Sequence, residues 1–210
     1  KKTATPKDLE PKAPKVAAIY FVVDRSGSMN SIVKDVIGGF NTFIAEQRKL
    51  PDPAVVTFAQ FDNVYEIVYA NKPIAEVEDL SPATYKPRGS TALNDAIGLT
   101  ITTLPATIEG ASLVIMTDGE ENASTKFNAA EVKKLVKSFE EAGNQVLFIG
   151  ANIDSFTVGS AYGINVSNTT NFVANADGAS ASFSSLSAKL GATRTAYAMG
   201  DTQWGDAGGD

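Results

Sequence analysis

Three oxygen-bearing side chains occupy alternate positions directly after an apolar run. Asp24, Ser26 and Ser28 belong to the segment DRSGSMN, which follows VAAIYFVV at residues 16–23. Alternate residues of an extended turn point the same way, so these side chains can direct their oxygens at one point. A small, hard cation such as Mg²⁺ needs such oxygen ligands in near-octahedral geometry. The two serines are neutral, so they add ligands without reducing the positive charge of the ion.

Two further oxygen ligands are predicted from other parts of the chain. Thr91 lies in PRGSTAL at the start of a predicted helix, and Asp118 directly follows the apolar run ASLVIMT. The chain contains no cysteine and no histidine, which excludes thiolate and imidazole ligands as well as a Ser-His-Asp triad. A metal ion must therefore be held by oxygen, which favours Mg²⁺, Mn²⁺ or Ca²⁺. The predicted ligands are Asp24, Ser26, Ser28, Thr91 and Asp118.

The elements that must position these ligands alternate between apolar strands and amphipathic helices. Continuously apolar runs, such as residues 16–23, indicate strands buried on both faces. The clearest helix begins after Asn128, which has a capping-box partner in Glu131. Asp62 and Asn63 form a predicted two-residue hairpin turn. This order predicts a doubly wound α/β domain: a mostly parallel six-stranded sheet with one antiparallel edge strand, and helices on both faces.

The predicted sheet brings the candidate ligands to one rim. In doubly wound sheets, ligands bind beyond the carboxyl ends of the strands, where the strand order reverses. Asp24 and Asp118 each follow a predicted strand. The segments DRSGSMN and TDGEENAS are therefore expected side by side.

The order and spacing of the five residues resemble the metal-ion-dependent adhesion site of the von Willebrand factor A (VWA) domain family. That site has the pattern D-x-S-x-S, then a threonine, then an aspartate. Here DRSGS, PRGSTALNDAI and MTDGEEN supply every member of the pattern without substitution. The resemblance covers about residues 16–198. Its short loops and lack of cysteine are most similar to bacterial and phage single-domain members of the family.

The resemblance implies a binding module rather than an enzyme. In the family, the serines and usually the threonine contact the cation, and the aspartates act directly or through water. An Asp or Glu carboxylate from a protein partner completes the coordination shell. An alternative is a phage or bacterial assembly component that uses the same rim for self-association or scaffold association. Candidate intermolecular ligands for that alternative are the tail residues Asp201, Asp206 and Asp210.

Enzymatic alternatives fit the residue pattern less well. Asp24 as the nucleophile of a metal-dependent phosphohydrolase would want a second carboxylate two residues on, where the chain has Ser26. Hydrolysis through Ser26 or Ser28 lacks a histidine base, and no lysine lies near them in the sequence. We therefore expect no catalytic residues and no organic cofactor.

Several neighbours of the predicted ligands have open interpretations. Gly89 is expected, with Ser90, to shape the turn that presents Thr91. Asp95 is either a hydrogen-bond partner behind the site or, as favoured, an exposed helical residue. Arg25 either pairs with a partner carboxylate or lies on the surface. Glu120 and Glu121 either repel acidic partners or are simply solvated, and the solvated interpretation is favoured.

Composition and net charge indicate the domain organisation and the classes of partner. The chain has 210 residues and a net charge of −6, so an acidic body is unlikely to bind nucleic acid. We expect a flexible basic Pro/Lys arm at residues 1–15, a VWA domain at 16–198 and an acidic Gly-rich tail at 199–210, where Trp204 is expected to dock on the body or anchor a neighbour. No apolar run is long enough to span a bilayer. The missing cysteines and leader predict a cytoplasmic protein, with virion or extracellular locations as alternatives.

Overall fold

The computed structural model describes residues 15–105, 107–172 and 176–200, without the side chains of 176–181. The predicted arm and tail, including Trp204 and the three tail aspartates, therefore lie almost entirely outside the described residues. The strands are β1 (Ala17–Asp24), β2 (Ala54–Phe61), β3 (Tyr65–Pro73), β4 (Ala111–Thr117), β5 (Gln145–Ala151) and β6 (Thr169–Phe172). The helices are α1 (Val33–Arg48), α2 (Leu93–Thr103), α3 (Ala129–Glu141), α4 (Ser155–Ala161) and α5 (Ala176–Ala198).

The six strands form one sheet in the order β3-β2-β1-β4-β5-β6. β3 is antiparallel to β2, and every other neighbouring pair is parallel. The chain leaves β1 for β2 on one side and later returns to place β4 on the other side. The strand order therefore reverses at β1 and β4, and the predicted fold class is confirmed.

The sheet is covered on both faces, which explains why its central strands are mostly apolar. Ile19 and Phe21 pack in one core with α1 and α5, whereas Tyr20 and Val22 pack in the other with α2 and α3. Alternate residues of β1 thus enter opposite cores. At α1, the two aromatic side chains Phe40 and Phe43 each contact the ring of Phe21 at 5.2 Å between centroids.

Close packing of α1 against α5 depends on Gly39. A Cβ atom at this position would lie 2.0 Å from the ring of Phe183, so only glycine allows the ring to approach the α1 backbone. At Gly38 nothing lies within 4 Å. Two adjacent glycines would weaken an isolated helix, so the sequence predicts close packing against a neighbour at this pair. The structure confirms that prediction for Gly39 and not for Gly38.

Two local predictions need correction. The hairpin between β2 and β3 has a three-residue connection, 62–64, because the Asp62 carboxylate accepts the Val64 N–H at 2.7 Å and closes a wider turn. The apolar residues between 32 and 44 fall at helical spacing and predict a helix from residue 31. The structure instead has a 3-10 segment, Gly27–Ile32, before α1. Within the described ranges, no helix is both long and apolar enough to cross a membrane.

Candidate metal centre

Asp24 ends β1 inside the molecule. Its side chain is fully buried, and one carboxylate oxygen accepts the Ser26 N–H at 2.6 Å. The other oxygen accepts the hydroxyl of Thr117, the last residue of β4, at 2.5 Å. Tyr85 donates its hydroxyl to the Asp24 carbonyl at 2.6 Å. Asp24 is therefore fixed by groups from three segments, and two of these partners, Thr117 and Tyr85, were not predicted from the sequence.

Ser26, Ser28 and Asp118 form a continuous chain of oxygens at the rim. The two serine hydroxyls are 3.0 Å apart, and Ser28 donates to the Asp118 carboxylate at 2.6 Å. The serines come from the turn after β1, and Asp118 comes from the residue after β4. The neighbouring central strands thus bring together groups that are far apart in the chain.

Thr91 joins this group through Gly119. A Cβ atom at Gly119 would lie 3.1 Å from the Thr91 hydroxyl and 3.6 Å from the Ser28 hydroxyl. Both hydroxyls therefore face the same small space above the glycine backbone. A side chain at this position would fill part of the space that the predicted ion needs.

The loop that carries Thr91 is tied to the turn that carries the serines. The Gly27 N–H donates to the Gly89 carbonyl at 3.1 Å, and the Arg88 N–H donates to the Arg25 carbonyl at 2.6 Å. Gly89 has φ +68°, a left-handed conformation that favours glycine. The turn-shaping role expected of Gly89 fits this geometry.

The donor set matches the requirements of a small divalent cation. Adjacent ligands of an octahedral ion at about 2.1 Å are about 3.0 Å apart, which is also the separation of the two serine hydroxyls. The described part of the chain contains no group of three or more acidic side chains that could hold a metal ion. A cation at this rim would therefore depend on hydroxyl oxygens beside two carboxylates.

The electrostatics of the rim favour an added positive charge. Burial raises the pKa of the Asp24 carboxyl from 3.8 to about 6, although hydrogen bonds from Thr117 and Ser26 lower it. Burial also raises the pKa of Asp118, against the hydrogen bond from Ser28. A cation between the two carboxylates would stabilise both in the ionised form.

Arg25 does not supply this positive charge. Its side chain is 8% exposed and pairs with Asp62 at 3.0 Å and with Glu66 at 2.8 Å. Arg88 contacts the same Asp62 carboxylate at 2.8 Å, and these two arginines hold the pKa of Asp62 below its usual range despite its burial. Arg25 is therefore paired with the β2–β3 hairpin, and of its two open interpretations the surface arginine is wrong.

Two other expectations about the rim are wrong because the side chains hold the loop after β4. Asp95 is 8% exposed and accepts the N–H groups of residues 125–127 at 2.8–3.0 Å. Glu121 accepts from the N–H groups of Asn94, Ala123 and Ser124 at 2.7–2.9 Å. Glu120 is exposed, as favoured for this residue.

Several solved structures share the fold of this chain. The chain aligns with the von Willebrand factor type A protein from Catenulispora acidiphila at a TM-score of 0.58 and 15% identity, covering 83% of this chain and 42% of that one. The pilus adhesin SpaC from Lactobacillus rhamnosus GG gives 0.65 and 17%, covering 84% and 30%. Proximal thread matrix protein 1 from the mussel byssus, with a zinc-occupied MIDAS motif, gives 0.60 and 13%, covering 88% and 46%.

These similarities define a VWA-type α/β domain. The chain spans less than half the length of each of the three solved chains. A family model described as "VWA domain containing CoxE-like protein" matches residues 4–155. The chain belongs to this family. No curated protein matches it at the level of sequence.

Proposed function

We propose that this domain binds Mg²⁺, or the similar ions Mn²⁺ and Ca²⁺, at the rim, and that the bound ion recognises an Asp or Glu carboxylate of a protein partner. The observation that carries the proposal is the convergence of the Ser26, Ser28 and Thr91 hydroxyls with Asp118 beside the buried Asp24. The hydroxyls supply neutral ligands, and the aspartates supply two negative charges. An intact adhesion site of the bacterial or phage type is part of this proposal.

The chain's own groups have separate tasks in this proposal. Ser26, Ser28 and Thr91 hold the ion, whereas Asp118 orients the Ser28 hydroxyl by accepting its hydrogen bond. Asp24 balances the charge from below and keeps the turn in place through the Ser26 N–H. A divalent ion with two protein carboxylates is formally neutralised, but one coordination position left to a partner allows a third carboxylate to bind.

The surroundings of the rim support a protein partner. Val64, in the hairpin turn beside Asp62, is 52% exposed, and Ile67 and Val68 on edge strand β3 are 48% and 47% exposed. These exposed apolar side chains are available for contact with another protein. The same surface is also compatible with self-association, which we keep as the alternative. We propose no catalytic activity, because the hydroxyls of Ser26, Ser28 and Thr91 are assigned to the ion and no histidine is present in the chain to act as a base.

Metal binding is tested by titration calorimetry of Mg²⁺ and Mn²⁺ into chelator-treated protein. We expect one-to-one binding that Asp118→Ala reduces by at least about tenfold, since it removes one of two charged groups at the ion. Glu120→Ala is the matched control, because it removes an exposed carboxylate two residues away and should bind normally. Equal losses in both variants, or no binding to the intact protein, would contradict the proposal.

Carboxylate recognition is tested with a short synthetic peptide that contains one Glu, and with its Gln counterpart. We expect Mn²⁺-dependent binding of the Glu peptide alone, abolished by chelation. Light scattering with and without Mg²⁺ separates the alternative: a mass that doubles only with the ion supports self-association. Binding of both peptides, or binding that survives chelation, counts against a carboxylate ligand.

A further inference from the structure

An apolar groove lies on the side of the domain formed by α1 and α5. It encloses about 610 Å³, within the range of roughly 300–1,000 Å³ that small-molecule pockets occupy. Its walls include Leu50, Ala192, Ala196 and Met199, and Glu46 is the charged side chain among its described lining residues. The groove therefore suits an apolar ring with at most one polar group.

Small side chains on α5 create the groove. Ala188, Gly191, Ala192 and Ala196 lie one turn apart on the face that meets the end of α1. A Cβ atom at Gly191 would lie 3.1 Å from Leu50, so the floor is tight while the outer part stays open. Met199 at the mouth is 81% exposed, which is unusual for so large an apolar side chain.

The last described residues of the chain lie beside this groove, because Met199 is one of its lining residues. α5 ends at Ala198, and Gly200 has φ +89° with its N–H donating to the Tyr197 carbonyl at 3.0 Å. This left-handed residue turns the chain away from the helix axis. The next four residues end at Trp204, and four residues span at most about 14 Å.

This reach selects one end of the groove. Ala196 and Ala192 lie four and eight residues before Gly200, or about 6 and 12 Å along the helix. Ala188 lies about 18 Å away by the same rise per residue. The backbone of these four residues can therefore reach Ala192 and Ala196, whereas Ala188 lies beyond its maximum span.

We propose that the indole of Trp204 binds in the α1–α5 groove of its own chain, over Ala192, Ala196 and Met199. The ring would cover the exposed Met199 thioether, a favourable sulfur–aromatic contact. The indole N–H needs an acceptor. The Thr195 hydroxyl donates to Asp52 at 2.8 Å and keeps lone pairs free to accept. This inference does not depend on the metal site.

Trp204 is the only tryptophan in the chain, so its fluorescence reports this contact directly. In the full chain at low concentration, we expect emission shifted to the blue of N-acetyltryptophanamide and an acrylamide quenching constant at least about twofold smaller, because a docked indole loses much of its contact with water. Emission and quenching equal to those of the free amide would overturn the proposal.

Two matched variants locate the contact. Ala192→Glu places a charge where the ring is proposed to lie, and we expect its emission to shift to the red with a quenching constant near that of the free amide. Ala188→Glu makes the same change at an exposed position on the same helix, one turn beyond the proposed contact, and its emission should match the unmodified chain. Circular dichroism verifies that both variants fold. If both or neither change the emission, the proposed site is wrong.

Stability gives a second readout. Trp204→Ala should lower the melting temperature. Ala192→Glu should lower it in the chain that has Trp204, but not in the Trp204→Ala variant. Additive effects would contradict direct contact. A dilution series completes the test, because blue-shifted emission that disappears on dilution together with a dimer in ultracentrifugation would assign the groove to a second copy and overturn the intramolecular proposal.

Discussion

Replacement of Asp24 by asparagine should stabilise the metal-free domain, although it removes the best-held carboxylate of the candidate site. Burial raises the pKa of this carboxyl from 3.8 to about 6. A pKa difference of that size between folded and unfolded chains corresponds to about 3 kcal/mol of destabilisation when the group is ionised. Asparagine carries no charge, and its side-chain oxygen can still accept the Ser26 N–H.

The gain should be smaller than the full electrostatic figure. The asparagine amide would donate to Thr117, whose hydroxyl can then donate to the Gly119 carbonyl, now 3.2 Å away. This rearrangement exchanges a charge-assisted hydrogen bond for a weaker one. We therefore expect Asp24→Asn to raise the free energy of unfolding by about 1–3 kcal/mol at pH 7.5.

The effect should depend on pH in one direction. Because the folded chain binds the Asp24 proton more tightly than the unfolded chain, the unmodified domain bears no penalty below the unfolded pKa of 3.8. The penalty grows as the pH rises from about 4 to 6 and is constant above the folded pKa. The stability difference between variant and unmodified protein should follow the same curve.

Urea unfolding followed by circular dichroism, in the presence of chelator and at several pH values from 4 to 7.5, measures this difference. Saturating Mg²⁺ provides the opposing control, since it should stabilise only the unmodified protein. A variant that is less stable than the unmodified protein at pH 7.5, or a difference that does not change with pH, would refute the electrostatic reasoning.

Two further perturbations test the packing and the loop. Gly39→Ala should lower the free energy of unfolding by about 1–3 kcal/mol, because its Cβ would meet the Phe183 ring at 2.0 Å. Gly38→Ala, with nothing within 4 Å, should instead raise the free energy of unfolding by about 0.5–1 kcal/mol. Chemical denaturation measures both variants, and changes of the same sign would contradict the packing argument. Asp95→Ala should increase hydrogen exchange of the N–H groups of residues 125–127, which lose their acceptor, and should cost about 2–3 kcal/mol. These backbone hydrogen bonds outweigh the effect of burial and hold the pKa of Asp95 below its usual value. The contribution of Asp95 to stability is therefore present above the unfolded pKa and is lost as the pH falls through the folded pKa. Unchanged hydrogen exchange in the variant would contradict this role.

Much of the fold could be predicted because the buried strands of the sheet appear in the sequence as runs of consecutive apolar residues. β1 and β4 are mostly apolar and almost entirely buried, since alternate side chains enter two cores. The candidate ligands follow such strands or begin helices, so parallel pairing alone places them on one rim. The capping box of Asn128 and Glu131 could be predicted because its two residues are three positions apart, and both of its hydrogen bonds are present.

Long-range polar contacts could not be predicted in this way. Asp95 is bound to backbone groups about 30 residues further along the chain, and any residue type can supply such N–H groups. Arg25 was interpreted from its neighbour Asp24, but its partners Asp62 and Glu66 depend on how the hairpin folds back. Single-residue identity gave no signal for either contact.

The central pairing of β1 with β4 also determines when the rim can exist. The contacts between Thr117 and Asp24 and between Ser28 and Asp118 join residues 93 and 90 positions apart. Contacts of such long range form late and slow the folding of parallel sheets. An ion that needs all of these groups has little to bind in an unfolded chain, so it would act chiefly by slowing unfolding. Metal-binding competence would thus serve as a kinetic marker for completion of the middle of the sheet.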